Sequence, residues 1–243
     1  NMEMRMTMQA IILAGGLGTR LKDIIKDCPK PMADINGKPF LEYVLTFLEK
    51  QGIDRTIFSV GYKSRVIKDY FGENFNNMKL IYSVEHQLLG TGGAIKRGLD
   101  FVKDGDVFVV NGDTFFDIDL KKIYQFHKEK KADLTIALKI IDHSDRYGIM
   151  KIDKNFQIKN FTEKKCKNKK ALINGGIYVL NKDFFLSFNL PEKFSFEKDF
   201  LEKYYNKCRF YGVPFDAYFI DIGVPDDYKR ARKELEGVFS TYP

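Results

Sequence analysis

Residues 10–21 read AIILAGGLGTRL, and where this stretch breaks decides how the rest of the chain is read. Small and branched apolar residues run to Leu13 and Ala14, then give way to Gly15, Gly16, Gly18, Thr19 and Arg20. A short apolar run closed by glycines is a buried strand passing into a loop. Glycines there let a backbone approach a ligand and turn its N–H groups toward an anion, although a bare glycine turn would look the same. Two well-known phosphate loops do not fit. The string G-G-x-G-T-R lacks both the spacing of the dinucleotide fingerprint and the Gly-Lys-Ser/Thr of the P-loop. Arg20 nevertheless adds a fork of fixed donors that suits polyphosphate oxygens. Ten residues on, CPKPMA holds Lys30 between Pro29 and Pro31. Proline fixes its own φ and restricts the residue before it, so this ammonium rides on a stiffened backbone.

Outward from that strand, two periods alternate. MQAIILAG (8–15) reads as a strand and PFLEYVLTFLEKQG (39–52) as a helix, with apolar residues at helical spacing and Gly52 at its end. TIFSVG (56–61), KLIYSVE (79–85) and DVFVVNGD (106–113) read as further strands. SRVIKDYFG (64–72) and GGAIKRGLDFVKDG (92–105) read as the helices between them. Such alternation predicts parallel strands joined by right-handed crossovers and covered by helices on both faces. The second half begins with a helix, LKKIYQFHKEKKA (120–132), and then crowds its strands at 134–140, 147–153, 157–163, 175–180, 209–214 and 217–223. Helices are predicted from about residue 182, over 195–207 and over 225–237. The expected class is α/β, a mostly parallel central sheet with an antiparallel elaboration in the second half. No linker or repeat divides the chain, so residues 8–243 read as one catalytic domain, preceded by a flexible start or appended remnant at 1–7.

Composition narrows the partners. A net charge of +7 over 243 residues points to anionic ligands. Nucleic acid is disfavoured, because no helix–turn–helix, zinc motif or basic–aromatic interleaving accompanies that charge. The five lysines within 164–170 read alone as a solvated loop. No apolar run approaches a membrane span, and no signal peptide precedes the first strand. Three scattered cysteines, Cys28, Cys166 and Cys208, suit a reducing, cytoplasmic setting. Homo-oligomerisation is left open. His86, His127 and His143 are scattered and are expected to take no part in catalysis.

Two aspartates stand out. Asp113 ends an apolar strand, at the edge where open α/β sheets collect ligands; the plainer reading is a turn aspartate. Asp221 lies within the apolar AYFIDIGVP, where a carboxylate is paired or bound to a cation; the plainer reading is a helix cap. Mg²⁺, which takes a few carboxylates together with phosphate oxygens, would suit such a pair.

These strings carry a resemblance. LAGGLGTRL followed by PKPM is similar to the sugar-1-phosphate nucleotidyltransferases, over nearly the whole chain from about Met8 to the last helix. Asp23, Ile24 and Ile25 depart from the Pro-Leu-Thr common in that family. That variant, with NGDTFFDIDL, INGGIYVLNKD, KFSFEKDFL and FIDIGVPDDY, resembles the guanylyltransferases that act on D-glycero-α-D-manno-heptose 1-phosphate and supply GDP-heptose for surface polysaccharides, capsule included. The resemblance implies a Rossmann-like three-layer α/β/α sandwich of the nucleotide-diphospho-sugar transferase type. It also implies GTP and a sugar 1-phosphate as substrates, and Mg²⁺ held by Asp113 and Asp221.

The resemblance implies a role for each matching residue. Arg20, Lys30, Asp113, Lys164 and Asp221 carry catalysis. Leu13, Ala14, Gly15, Gly16, Gly18, Thr19 and Gly112 bind the nucleotide, with Glu85, Gly90 and Thr91 reading the base. Glu163 takes sugar hydroxyls and Lys164 the sugar phosphate, with Lys165 standing where the family usually has proline. Tyr147, Gly148, Asn174, Gly175 and Gly176 complete the sugar side, although the glycine pair alone reads equally as a β-bulge. Guanine offers N1–H and its N2 amino group side by side, which a carboxylate accepts as a pair, so Glu85 favours GTP over UTP unless it is simply an exposed loop glutamate. Three rivals remain: mannose 1-phosphate as the acceptor, a uridylyltransferase acting on another hexose 1-phosphate, and a non-catalytic nucleotide-sugar-binding regulator.

Overall fold

The structure, a computed structural model, describes residues 8–16, 28–61, 63–103, 105–142, 147–162 and 170–240. The chain begins with β1 (Met8–Leu13), the small strands β2 (Asp34–Ile35) and β3 (Lys38–Pro39), and α1 (Phe40–Lys50). Next come β4 (Ile53–Val60), α2 (Ser64–Phe71), β5 (Asn74–Phe75), β6 (Met78–Val84) and α3 (Gly90–Gly98). The middle of the chain holds β7 (Asp106–Asn111), β8 (Thr114–Phe116) and α4 (Leu120–Glu129). Then follow β9 (Leu134–Ile141), β10 (Ile149–Ile152), β11 (Ile158–Thr162), β12 (Ala171–Asn181) and α5 (Lys182–Leu186). A π-helical turn, Phe196–Leu201, runs into α6 (Glu202–Tyr204) and is followed by β13 (Phe210–Phe215), β14 (Phe219–Asp221) and α7 (Pro225–Ser240).

The predicted parallel unit is present. Strands β6, β4, β1 and β7 lie side by side in that order, and every neighbouring pair is parallel. The antiparallel elaboration attaches at β7: β12 pairs with it from Ile177↔Val110 to Asn181↔Asp106 and also carries β9 and β10. Strand alternation separates the core into two layers. Ala10, Ile12, Phe58, Phe108 and Val110 face a cluster that includes α1, α4 and α7. Ile11, Ile57, Val107 and Val109 face the opposite cluster, with Ile95 of α3, Phe185 of α5 and Phe200 of the π-helical turn. Helices therefore cover both faces, giving the three layers predicted. In α1 the residues read as its apolar stripe, Phe40, Leu41, Val44, Leu45, Phe47 and Leu48, are all buried, and Gly52 ends it at φ +90°.

This topology fixes where a ligand goes. From β1 the chain winds one way through β4 and β6, then returns to place β7 on the other side of β1. Ligands in open α/β sheets collect outside the carboxyl ends of the strands at such a switch point. Here those ends are Leu13–Gly16 and Asn111–Asp113.

Three predicted elements differ. The helix predicted over 92–105 begins at Gly90, ends at Gly98 and is followed by a single 3-10 turn, Leu99–Phe101. The strand predicted over 217–223 shrinks to β14, which pairs with β8 in a separate two-stranded sheet. The helix predicted over 195–207 is π-helical in its first half. Buried Phe196, Phe200 and Leu201 sit at i, i+4 and i+5, a spacing that serves an α and a π turn alike.

Candidate active site

A cavity of about 570 Å³ opens at the switch point. Leu13, Ala14, Gly15 and Gly16 form one side, and Glu85, Leu88, Gly90 and Thr91 form another. Lys30 and Asp113 lie at the junction with the sheet, and Lys193 and Glu197 reach in from the second half. The loop after β1 is pinned by Ala14 N–H donating to Ser59 O at 2.9 Å. At Gly15 a Cβ would stand 3.5 Å from Glu85 Oε1, so the glycine leaves the backbone close beside that carboxylate. Glu85 Oε2 accepts from Leu89 N–H at 3.3 Å. Burial raises the Glu85 carboxyl above the usual carboxylate range, against the Leu89 N–H and the Arg97 charge, which pull it down.

Lys30 and both aspartates converge. Lys30 begins a single 3-10 turn behind Pro29, whose φ is −62°. Its Nζ lies 2.5 Å from Asp113 Oδ2 and 3.9 Å from Asp221 Oδ1, with only 12% of the lysine side chain exposed. The β8–β14 pairing creates this meeting, because Asp221 is the register partner of Thr114, the residue after Asp113. Thr114 Oγ1 donates to Asp113 Oδ1 at 3.2 Å, Tyr147 OH donates to Asp221 Oδ2 at 3.2 Å, and Gly223 N–H donates to Asp221 Oδ1 at 2.7 Å. A Cβ on Gly223 would come 2.8 Å from that oxygen and 3.1 Å from Lys30 Nζ, so a side chain there would push the Asp221 carboxylate and the lysine aside. The two aspartates thus share one ammonium, while Asp221 also closes a local turn through Gly223 N–H. Two carboxylates already directed at one ammonium are hard donors that suit a divalent cation. No group of three or more His, Cys, Asp or Glu forms a metal cluster among the described residues. A cation held here would take its other ligands from substrate and water, as magnesium does with nucleotides.

A second cavity, of about 310 Å³, continues from this centre. It shares Lys30, Asn111, Asp113 and Glu197 with the first and adds Tyr147, Asn174, Gly176, Tyr178, Phe219 and Asp221. The register of β12 against β9 breaks between Asn174 and Tyr178, so the glycine pair does lie in a bulge. Gly176 stands at φ +74°, donates its N–H to Asn174 Oδ1 at 3.0 Å, and would place a Cβ 2.9 Å from Asn111 Nδ2. Asn174 Nδ2 donates to Tyr178 OH at 2.7 Å, which ties together two residues that line this cavity.

Not every predicted residue lines a cavity. Gly175 packs against Phe116 and Ala137, and Gly112 lies against the Leu13 carbonyl, its N–H donating there at 3.0 Å. Both are places where backbone meets backbone or ring. Gly148 lines a third recess, described below. Gly18, Thr19, Arg20, Glu163 and Lys164 lie outside the described residues.

Residues without a predicted role also enter. Asn111, Lys193 and Tyr178 line the cavities, and Glu197 lines all of them. Thr91 Oγ1 donates to Glu197 Oε2 at 2.7 Å and accepts from Phe196 N–H at 2.9 Å. The glycines of GTGGA prove to be a seat for Phe194 and its neighbours. A Cβ on Gly92 would overlap the Phe194 ring at 2.1 Å, and Cβ atoms on Gly90 and Gly93 would strike the Phe194 and Glu192 carbonyls. KFSFEKDFL was informative as a string, but its spacing does not disclose which acid faces the cavity.

Known proteins are similar to this chain in sequence and in fold. The chain is 55% identical over 221 residues to a D-glycero-alpha-D-manno-heptose 1-phosphate guanylyltransferase of Campylobacter jejuni, covering 91% of this chain and 97% of that protein. It is 49% identical over 229 residues to the enzyme of the same name from Aneurinibacillus thermoaerophilus, covering 94% and 99%. The crystal structure of HddC from Yersinia pseudotuberculosis complexed with GMP-PN superposes with a TM-score of 0.85 at 40% identity, over 94% of this chain and all of that one. The nucleotidyl transferase family profile matches residues 9–237, from the first strand to the last helix, and so takes in every element that shapes the two joined cavities. By that match, and by the switch-point cavity it spans, the chain belongs to the nucleotidyl transferase family.

Proposed function

We propose that the chain transfers GMP from GTP to D-glycero-α-D-manno-heptose 1-phosphate, giving GDP-D-glycero-α-D-manno-heptose and pyrophosphate. One observation carries this reading: a nucleotide-sized cavity and a sugar-sized cavity share Lys30, Asn111, Asp113 and Glu197. Two ligands filling them would bring their phosphates together at a single cationic centre. The relatives, alike over almost their full length, support heptose 1-phosphate as acceptor and guanine as base.

An oxygen of the sugar phosphate attacks the α-phosphorus of GTP. The new bond joins that oxygen to phosphorus as the bond to the β-phosphate oxygen breaks, and its electrons leave with pyrophosphate. With a second pKa near 6, typical of phosphomonoesters, the attacker is already ionised at neutral pH and requires no general base. The task is to bring two anions together and offset the charge that develops. Lys30, mostly withdrawn from solvent, does this at the meeting point. The amides of Gly15 and Gly16 face the nucleotide phosphates, and Glu85 accepts from guanine N1–H and N2–H. Asn174, Tyr147 and Gly176 orient the acceptor. Arg20 serves the departing phosphates, Lys164 the acceptor phosphate and Glu163 the sugar hydroxyls. Asp113 and Asp221 would hold magnesium, which when bound adds charge neutralisation at the phosphate oxygens. The nucleotide substrate supports a cytoplasmic reaction.

A pyrophosphate-release panel tests this by crossing four nucleoside triphosphates with heptose, mannose and glucose 1-phosphates. Turnover is expected with GTP and magnesium, greatest on the heptose, absent after chelation and absent in Asp113→Asn. Equal use of UTP, or turnover that persists in Asp113→Asn, would contradict the reading.

A further inference from the structure

Beside the sugar cavity lies a recess of about 330 Å³, joined to it through Asn174 and Glu197. Three apolar side chains, Met150, Phe161 and Leu201, form part of its walls. Met150 and Phe161 are direct partners in the β10–β11 pairing, and buried Leu201 closes the recess from the π-helical turn. The walls are tied together, because the Phe161 ring packs edge-on against Tyr205, with centroids 5.2 Å apart, three residues beyond Glu202. Two carboxylates border this space, those of Glu197 and Glu202. They are not equivalent. Glu197 already accepts from Thr91 Oγ1 at 2.7 Å and Ser195 Oγ at 3.1 Å. Glu202 is exposed and takes no hydrogen bond or ion pair from any described residue.

Gly148 and Asn174, both expected on the sugar side, also line the recess, so it extends the acceptor's space. The acceptor phosphate belongs at Lys30, and a pyranose ring next to it fills the cavity of Tyr147, Asn174 and Gly176. A six-carbon acceptor ends in one hydroxymethyl group, whereas a seven-carbon acceptor goes on as a –CHOH–CH₂OH tail. A recess with three apolar side chains and the Glu202 carboxylate at its border matches that diol. Its C–H faces pack on Met150, Phe161 and Leu201, and its hydroxyl hydrogens need acceptors.

We infer that this recess receives the terminal two-carbon diol of the acceptor sugar, with Glu202 accepting a tail hydroxyl and so distinguishing heptose from hexose. The inference rests on the heptose reading proposed above. β10, β11 and the turn before α6 build the pocket for the tail, while the parallel half holds the nucleotide.

The test measures kcat/KM with GTP on the heptose 1-phosphate, its C6 epimer and mannose 1-phosphate, for the wild type, Glu202→Ala and Glu202→Gln. Losing a hydrogen bond to a charged acceptor should lower the heptose-to-mannose ratio about tenfold in Glu202→Ala and bring the two epimers closer together. Glu202→Gln keeps an acceptor oxygen and should recover most of the ratio. A ratio that stays at the wild-type value, whether or not both activities fall, overturns the recess as the tail site and leaves the heptose reading standing. A wild type without preference for heptose over mannose overturns the heptose reading, and the tail site with it.

Discussion

At the residue scale, the site is an economy of buried charge. Lys30, Asp113 and Asp221 could each be singled out in sequence, because each stands in a frame that restrains it: two prolines, a strand end or an apolar strand. Their contact could not be read, since 83 residues separate Lys30 from Asp113 and only the β8–β14 register brings Asp221 alongside. Glu85 shows what such placement costs. Burial raises its carboxyl above the ordinary range, so the folded chain takes up that proton more readily than the unfolded chain does. Its contribution to stability is therefore fully present below the ordinary carboxylate pKa and is lost as pH rises through the raised one. At neutral pH the ionised group is a burden on the fold. It is the ionised form, however, that would accept both guanine N–H groups in the proposed reading. GTP binding should weaken on mild acidification, at a pH above that at which an exposed glutamate protonates. Glu85→Gln should weaken GTP about tenfold at neutral pH, flatten this acid limb and leave thermal stability unchanged or higher. Calorimetric titration of GTP across that range, with a melting curve for each protein, measures all three. An acid limb that persists unchanged in Glu85→Gln would assign it to another group.

At the element scale, α3 and the segment that packs on it link the two cavities. GTGGA reads as a ligand loop because glycine makes room for a close approach, and sequence does not say whether a phosphate or a phenyl ring approaches. In the fold, Gly92 admits Phe194, and the same contact delivers Glu197 to the junction of the cavities. The π-helical turn was hidden for a similar reason, as six residues are too few for apolar spacing to separate two helical pitches. Thr91 joins these elements, donating to Glu197 and accepting from Phe196 N–H. Thr91→Val keeps the shape and removes both bonds, leaving the amide short of an acceptor. Stability should fall by about 1–3 kcal/mol, read from denaturant unfolding. The sharper expectation is kinetic. Although Thr91 lines the nucleotide cavity, KM for the sugar phosphate should rise more than KM for GTP, because Glu197 loses its anchor on the acceptor side. A rise confined to GTP would make Thr91 a nucleotide contact alone.

At the scale of the whole molecule, the alternating first half announced a parallel unit and the crowded strands after it an antiparallel one. How they join was not legible, because β12 serves both: its later residues pair with β7, and its earlier ones carry β9 and β10. The nucleotide cavity belongs mainly to the first unit and the sugar cavity mainly to the second, so a nucleotide sugar must straddle the junction. Ligands that bind only the folded state stabilise it by RT ln(1 + [L]/Kd), about 2.7 kcal/mol at a hundredfold excess over Kd. Joining two fragments makes the second contact intramolecular and lowers Kd without any new contact. GDP-mannose, which shares the diphosphate bridge and the pyranose, is therefore expected to raise the melting temperature more than GDP and mannose 1-phosphate do together at the same concentration. For a chain of this size each kcal/mol is worth roughly 2–4 °C, so the difference is measurable by differential scanning fluorimetry. A shift no larger than that of GDP alone would mean that the cavities do not act as one site, and that the side chains they share are neighbours rather than a junction.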